Sequence, residues 1–196
     1  MPQESLFPPI AVPNVSLTEY VLSKADAAPP GAIALQDGPT GRQIPFSALR
    51  PLIQSLAAGL HVRGLRRNDV LAIFMPNYPE YFLAFHAVAS LGAIVTTLNP
   101  VYTAHEIAHQ MKDSQATFIV TVPALLPKVV EATALGAPLR RSYVVDVPGA
   151  SATEDEAARP PCTPFRSILV GGAAPPVVID PARDTLAVPY SSGTSG

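Results

Sequence analysis

Four short β-favouring runs, separated by segments of helical spacing, constrain this chain more than any other feature. Val70-Leu71-Ala72-Ile73-Phe74 is continuously apolar, the pattern of a strand buried on both faces. Ile94–Leu98, Ala116–Thr121 and Ser142–Val147 follow as further strands. Between them the pattern predicts helices ending near Leu91, from Thr103 to about Ser114, and over Ala124–Leu135. Strand–helix–strand alternation at this spacing argues for an α/β fold, with parallel-sheet βαβ units, right-handed crossovers and flanking helices. Such sheets bind ligands beyond the carboxyl ends of their strands.

The chain before Val70 is less regular. Ser16 to Asp26 reads as a short helix and Ala32–Gln36 as a strand, with Asp37-Gly38 opening a turn. Phe46, Leu49, Ile53, Leu56 and Leu60 recur at helical spacing, with Ser47 as N-cap and Gly64 beyond the end. Pro51 falls awkwardly inside that helix. Arg66-Arg67-Asn68-Asp69 is a polar turn in which Asn68 tolerates positive φ. Residues 148–164, small and acidic in their first half, read as an exposed loop that contains the single cysteine, Cys162. Phe165–Leu169 is a short helix, Pro181–Asp184 a turn, and Leu186-Ala187-Val188 a final strand.

That strand delivers the chain into Tyr190-Ser191-Ser192-Gly193-Thr194-Ser195-Gly196, where glycines and hydroxyl side chains crowd together. Glycine lets backbone approach a ligand closely, and exposed N–H and O–H groups bond anionic oxygens. No G-x-x-x-x-G-K-[ST] spacing is present, so this is not a Walker A loop. By composition alone it reads equally as a flexible tail.

Several function classes are excluded or disfavoured. Basic residues number 13 against 15 acidic ones, with no basic run longer than a pair, so no nucleic-acid surface is indicated. Tyr81–Ala104 lacks Asp, Glu, Lys and Arg, yet Leu91-Gly92-Ala93 stops a helix and Ile94–Thr97 favours strand, so a transmembrane segment is not expected. One cysteine precludes an internal disulfide and fits a reducing, cytoplasmic compartment. Cys162, without a close basic neighbour, reads as an ordinary thiol.

His105-Glu106-Ile107-Ala108-His109 is a literal H-E-x-x-H on a predicted helix. The same letters make Thr103-Ala104-His105-Glu106 a capping box, and Lys112 and Gln115 stand where a metzincin needs glycine and histidine. No metal site is expected. His61 and His86 read as partly buried structural residues. Gly171-Gly172-Ala173-Ala174 precedes prolines instead of opening a helix, so it is not a dinucleotide fingerprint.

The segment Asp184-Thr185-Leu186-Ala187-Val188-Pro189 running into Tyr190–Gly196 resembles the nucleotide-binding signature of the adenylate-forming acyl-CoA synthetase family, in its 4-coumarate–CoA ligase branch. Gly64–Val70, Met75-Pro76-Asn77-Tyr78-Pro79-Glu80, Gly92–Pro100 and Tyr102–Ile107 resemble that family's earlier segments in the same order. The resemblance runs from about Leu17 to Gly196.

The resemblance implies ATP-dependent activation of a small-molecule carboxylic acid, aryl or acyl, to an acyl-adenylate and then a coenzyme A thioester, with Mg2+ present. It assigns Ser191, Ser192, Gly193, Thr194, Ser195 and Gly196 to the ATP β- and γ-phosphates, Ser195 replacing the more usual threonine. It places the loop's lysine, the acyl pocket, the adenine and ribose contacts, the magnesium-binding acid and the C-terminal domain downstream. By that reading residues 1–196 are the front part of the large N-terminal domain, hold no catalytic residue, and lack turnover alone. A C-terminal peroxisomal address would lie outside them. The alternative is a truncated, non-catalytic nucleotide-binding or interaction module.

Overall fold

A computed structural model describes residues 7–8, 11–147 and 162–190. Helix α1, Leu17–Asp26, starts at Ser16, whose side-chain oxygen accepts a hydrogen bond from the Glu19 amide at 3.2 Å. Strands β1, Ile33–Gln36, and β2, Gln43–Pro45, form an antiparallel ribbon. Helix α2, Phe46–Val62, follows β2 directly. The Phe46 amide bonds to the Ala32 carbonyl at 3.0 Å, so the helix begins one residue before Ser47, which lies inside it and does not cap it. Pro51 sits within α2 at the cost of one backbone donor.

Strand β3, Val70–Phe74, and helix α3, Pro79–Ser90, lead to β4, Ile94–Thr97. Helix α4, Ala104–Asp113, leads to β5, Ala116–Thr121, and helix α5, Leu126–Ala134, to β6, Arg141–Val144. The last strand, β7, is Cys162–Pro164, followed by a single 3-10 turn, Phe165–Ile168. All pairings in the main sheet are parallel, in the order β4-β3-β5-β6-β7. Residues 162–164 therefore belong to the sheet and not to an exposed loop. Cys162 is half-buried there, and its sulfur accepts a hydrogen bond from the Ser142 hydroxyl at 3.2 Å. Three residues ending in proline carry too little periodicity to announce a strand; β6 supplies the ladder that makes them one.

Side-chain alternation sends the two faces of the sheet into two cores. Leu71, Ile73, Phe118, Val120 and Tyr143 pack against α2 and α3. Val70, Ala72, Phe74, Ile119 and Val144 pack against α4 and α5. The first of these layers needs close approach at Gly59 of α2, where an added Cβ would lie 1.7 Å from the Ile168 carbonyl oxygen. Asn68 adopts φ +67° in the turn before β3, as its side chain permits, and its amide bonds to the Gly92 carbonyl at 3.0 Å. No helix among the described residues is long and apolar enough to cross a membrane.

Candidate functional site

The loops after β3 and β4, neighbours in the sheet, part to opposite faces, one into α3 and the other into α4. A crevice opens where neighbouring strands part in this way. It has a volume of about 420 Å³ and is lined by Asn77 after β3, by Thr97, Asn99 and Tyr102 at and after β4, and by Tyr81 and Tyr190. Its polar groups are amides and hydroxyls, and burial pushes the Tyr81 phenol above its ordinary pKa, against the effect of a hydrogen bond with Thr97.

The segment that ends at Tyr190 reaches this crevice by adding to the free side of β4. Val95 and Ala187 form a parallel bridge. The Val95 amide donates to the Leu186 carbonyl at 3.0 Å, and the Val188 amide to the Val95 carbonyl at 2.8 Å. Upstream, Asp184 accepts from Arg67 through both carboxylate oxygens at 2.7 Å and from the Asp180 amide at 2.8 Å. Arg67 also donates to the Val178 carbonyl. One guanidinium thus fastens residues 178–184 to the turn before β3, Nη2 donating to both Asp184 oxygens and Nη1 to the Val178 carbonyl.

Ser191, Ser192, Gly193, Thr194, Ser195 and Gly196 lie outside the described residues. Their root, Tyr190, is placed at the carboxyl end of the sheet, beside the crevice. A larger and more apolar hollow, about 460 Å³, lies between α1 and residues 179–186 and reaches Gly92 and Ala93, at the opposite, amino end of β4. The smaller crevice is the better candidate because strand ends and loop root converge there.

The other motifs resolve as structure. Thr103 and Glu106 make the capping box: the Thr103 amide and hydroxyl each donate to Glu106 Oε2 at 2.7 Å, and the Glu106 amide donates to Thr103 Oγ1. Those bonds hold the Glu106 carboxyl below its ordinary pKa. His105 and His109 are both exposed. His86 is buried at 5% exposure, with Nδ1 3.1 Å from the Thr18 hydroxyl and its ring tilted against Phe82 at 4.4 Å between centroids. His61 is half-buried at the end of α2. Among the described residues no group of three or more His, Cys, Asp or Glu is arranged to hold a metal.

Asn77 and Asn99 escape a sequence reading as site residues because beside proline they look like ordinary turn formers. Their position immediately after apolar strand runs was the available signal.

Comparison with known proteins agrees with this geometry. A profile described as AMP-binding enzyme matches residues 22–196. The chain is 35% identical to 4-coumarate--CoA ligase 4 of Arabidopsis thaliana over 205 residues, covering 98% of this chain and 34% of that protein. It is 37% identical to 4-coumarate--CoA ligase 5 of Oryza sativa subsp. japonica, covering 100% and 35%. The chain thus spans about a third of the length of the curated relatives it matches. A long-chain-fatty-acid-CoA ligase from Archaeoglobus fulgidus superposes with TM-score 0.78 at 21% identity, over 97% of this chain and 37% of that one. Acetoacetyl-CoA synthetase from Streptomyces lividans superposes with TM-score 0.75 at 24% identity, over 93% and 29%. Parallel sheet, strand-end crevice and profile match together show that this chain belongs to the AMP-binding enzyme family, the adenylate-forming acid–CoA ligases.

Proposed function

We propose that this chain supplies part of the ATP site of an acid–thiol ligase that converts a carboxylic acid to its adenylate and then to its coenzyme A thioester. The observation that carries the reading is the delivery of residues 186–190 along β4 to the carboxyl end of the sheet, with Tyr190 on a crevice of neutral donors. In the first half-reaction a carboxylate oxygen attacks the α-phosphorus of ATP, and the bond to the bridging oxygen of pyrophosphate breaks. In the second, the thiol sulfur attacks the acyl carbon and AMP departs.

Charge accumulates on phosphate oxygens in the first step, and preorganised N–H and O–H donors stabilise it with little reorganisation. Ser191, Ser192, Thr194 and Ser195 offer hydroxyls for this, and Gly193 and Gly196 offer close backbone approach. Among the described residues the crevice carries no carboxylate, which does not fit a magnesium ion held by these residues. The names of the relatives favour an aryl acid of the 4-coumarate kind, while fatty acyl substrates are the competing class. A cytoplasmic location accords with the lone cysteine.

Exchange of labelled pyrophosphate into ATP, screened against aryl and fatty acids, tests the proposal. The full product of the reading frame is expected to catalyse acid-dependent exchange, strongest with hydroxycinnamates, and the 196 residues alone to be inactive. Nucleotide binding with no exchange for any acid would favour a non-catalytic binding module instead.

A further inference from the structure

The backbone ladder that carries the chain to the phosphate loop is short. It comprises two hydrogen bonds between Val95 and residues 186–188, and no further backbone rung to β4 follows among the described residues. From the Val188 carbonyl onward, side chains of β4 and α4 take over. Gln110, 2% exposed, donates from Nε2 to Thr96 Oγ1 at 2.9 Å and to the Thr97 carbonyl at 3.0 Å. The Thr96 hydroxyl, fully buried, has one proton to give, and it goes to the Val188 carbonyl at 2.9 Å. Asp113, three residues beyond Gln110 on the same face of α4, accepts a hydrogen bond from the Tyr190 phenol. These two contacts bracket Pro189 on either side.

Asp113 is poorly explained as a support for its own helix. It stands at the C-terminus of α4, where the helix dipole disfavours negative charge, and it is exposed. What the side chain does in this structure is hold Tyr190.

We propose that Gln110, acting through Thr96, and Asp113, acting through Tyr190, are positioning residues that fix the direction in which the chain enters the Ser191–Gly196 loop. The inference rests on the reading of that loop as a triphosphate cradle, because aim matters only if the loop has a ligand to meet. Burial, with Asp113 adding, pushes the Tyr190 phenol up to about 12, so it remains a protonated donor at neutral pH.

The test uses the full product of the reading frame and two readouts: hydrogen exchange of the amides of Leu186, Ala187, Val188 and Tyr190, and ATP affinity by calorimetry. Asp113→Ala and Tyr190→Phe are each expected to speed exchange at Tyr190 and weaken ATP binding by about three- to tenfold. Their double variant should be no worse than either single one, since they remove one contact. Thr96→Val should speed exchange at Val188, and Thr96→Ser, which keeps the hydroxyl, should restore it. Asp113→Ala should leave the melting temperature unchanged or higher, which a merely structural role would not do. Unchanged exchange in Asp113→Ala and Tyr190→Phe overturns the proposal, whether or not ATP binds. Ser192→Ala is the control for the underlying reading: it should weaken ATP binding without altering exchange at Tyr190. If it leaves affinity intact, the phosphate reading fails while the exchange data still judge the positioning role.

Discussion

Val95 and Ala187 face each other across a parallel bridge that seats the end of the described chain on the free side of β4. The bridge has two backbone hydrogen bonds of its own, so its register depends on what holds the flanking chain. On the amino side that is the Arg67–Asp184 pair; on the carboxyl side it is the Thr96 hydroxyl of β4, held by Gln110, and Asp113 of α4.

Arg67→Ala removes the Nη2 contact to both Asp184 oxygens and the Nη1 donor to the Val178 carbonyl together. With the Arg67 side chain 41% exposed, solvent screens the pair, and the cost should be only about 1 kcal/mol in a urea titration. The local effect should be larger. Limited proteolysis is expected to cut within 178–184 in the variant and not in the parent chain.

Gly59→Ala should be far more damaging than a typical glycine substitution in a helix. The new Cβ would meet the Ile168 carbonyl oxygen at 1.7 Å, a backbone atom that cannot rotate away. Either α2 or the Phe165–Ile168 turn must shift, at about 1–3 kcal/mol. A urea midpoint equal to that of the parent chain would contradict the packing described.

His86 gives the chain a predictable pH response. Burial lowers its pKa below the usual 6.5, so the folded state favours the neutral ring while the unfolded chain protonates normally. Its contribution is therefore present above about pH 6.5 and is lost as pH falls through the folded value, with a limiting slope of about 1.4 kcal/mol per pH unit. Urea midpoints between pH 7.5 and 5 should fall more steeply for the parent than for His86→Gln.

Much of the sheet is legible in the sequence because burial on both faces leaves no polar interruption. Val70–Phe74 and Ala116–Thr121 are strands over the bounds their residues announce. The capping box at Thr103 and the positive φ at Asn68 are equally local, which is why their residue types suffice to identify them. Strands β2 and β7 are different: each has three residues ending in proline, and a distant partner decides that it pairs. The start of α2 is misread by two residues, the cap falling at Pro45 instead of Ser47, for the same reason, since the bond from Phe46 to Ala32 crosses the ribbon. At the site, composition leaves Ser191–Gly196 open between a tail and a phosphate loop, and the ordered family-like segments upstream favour the loop. That residues 186–188 join β4, and that Gln110 and Asp113 lie beneath the root of that loop, are long-range facts with no local signature.

The central claim is that Ser191–Gly196 holds the phosphates of ATP during adenylation. Acid-dependent pyrophosphate exchange by the full reading-frame product, compared between the parent and its Ser192→Ala and Thr194→Ala variants, tests it most directly. Loss of a preorganised donor to developing phosphate charge should slow exchange by about a hundredfold, with unfolding midpoints unchanged. Exchange at the parent rate in both variants would contradict the account.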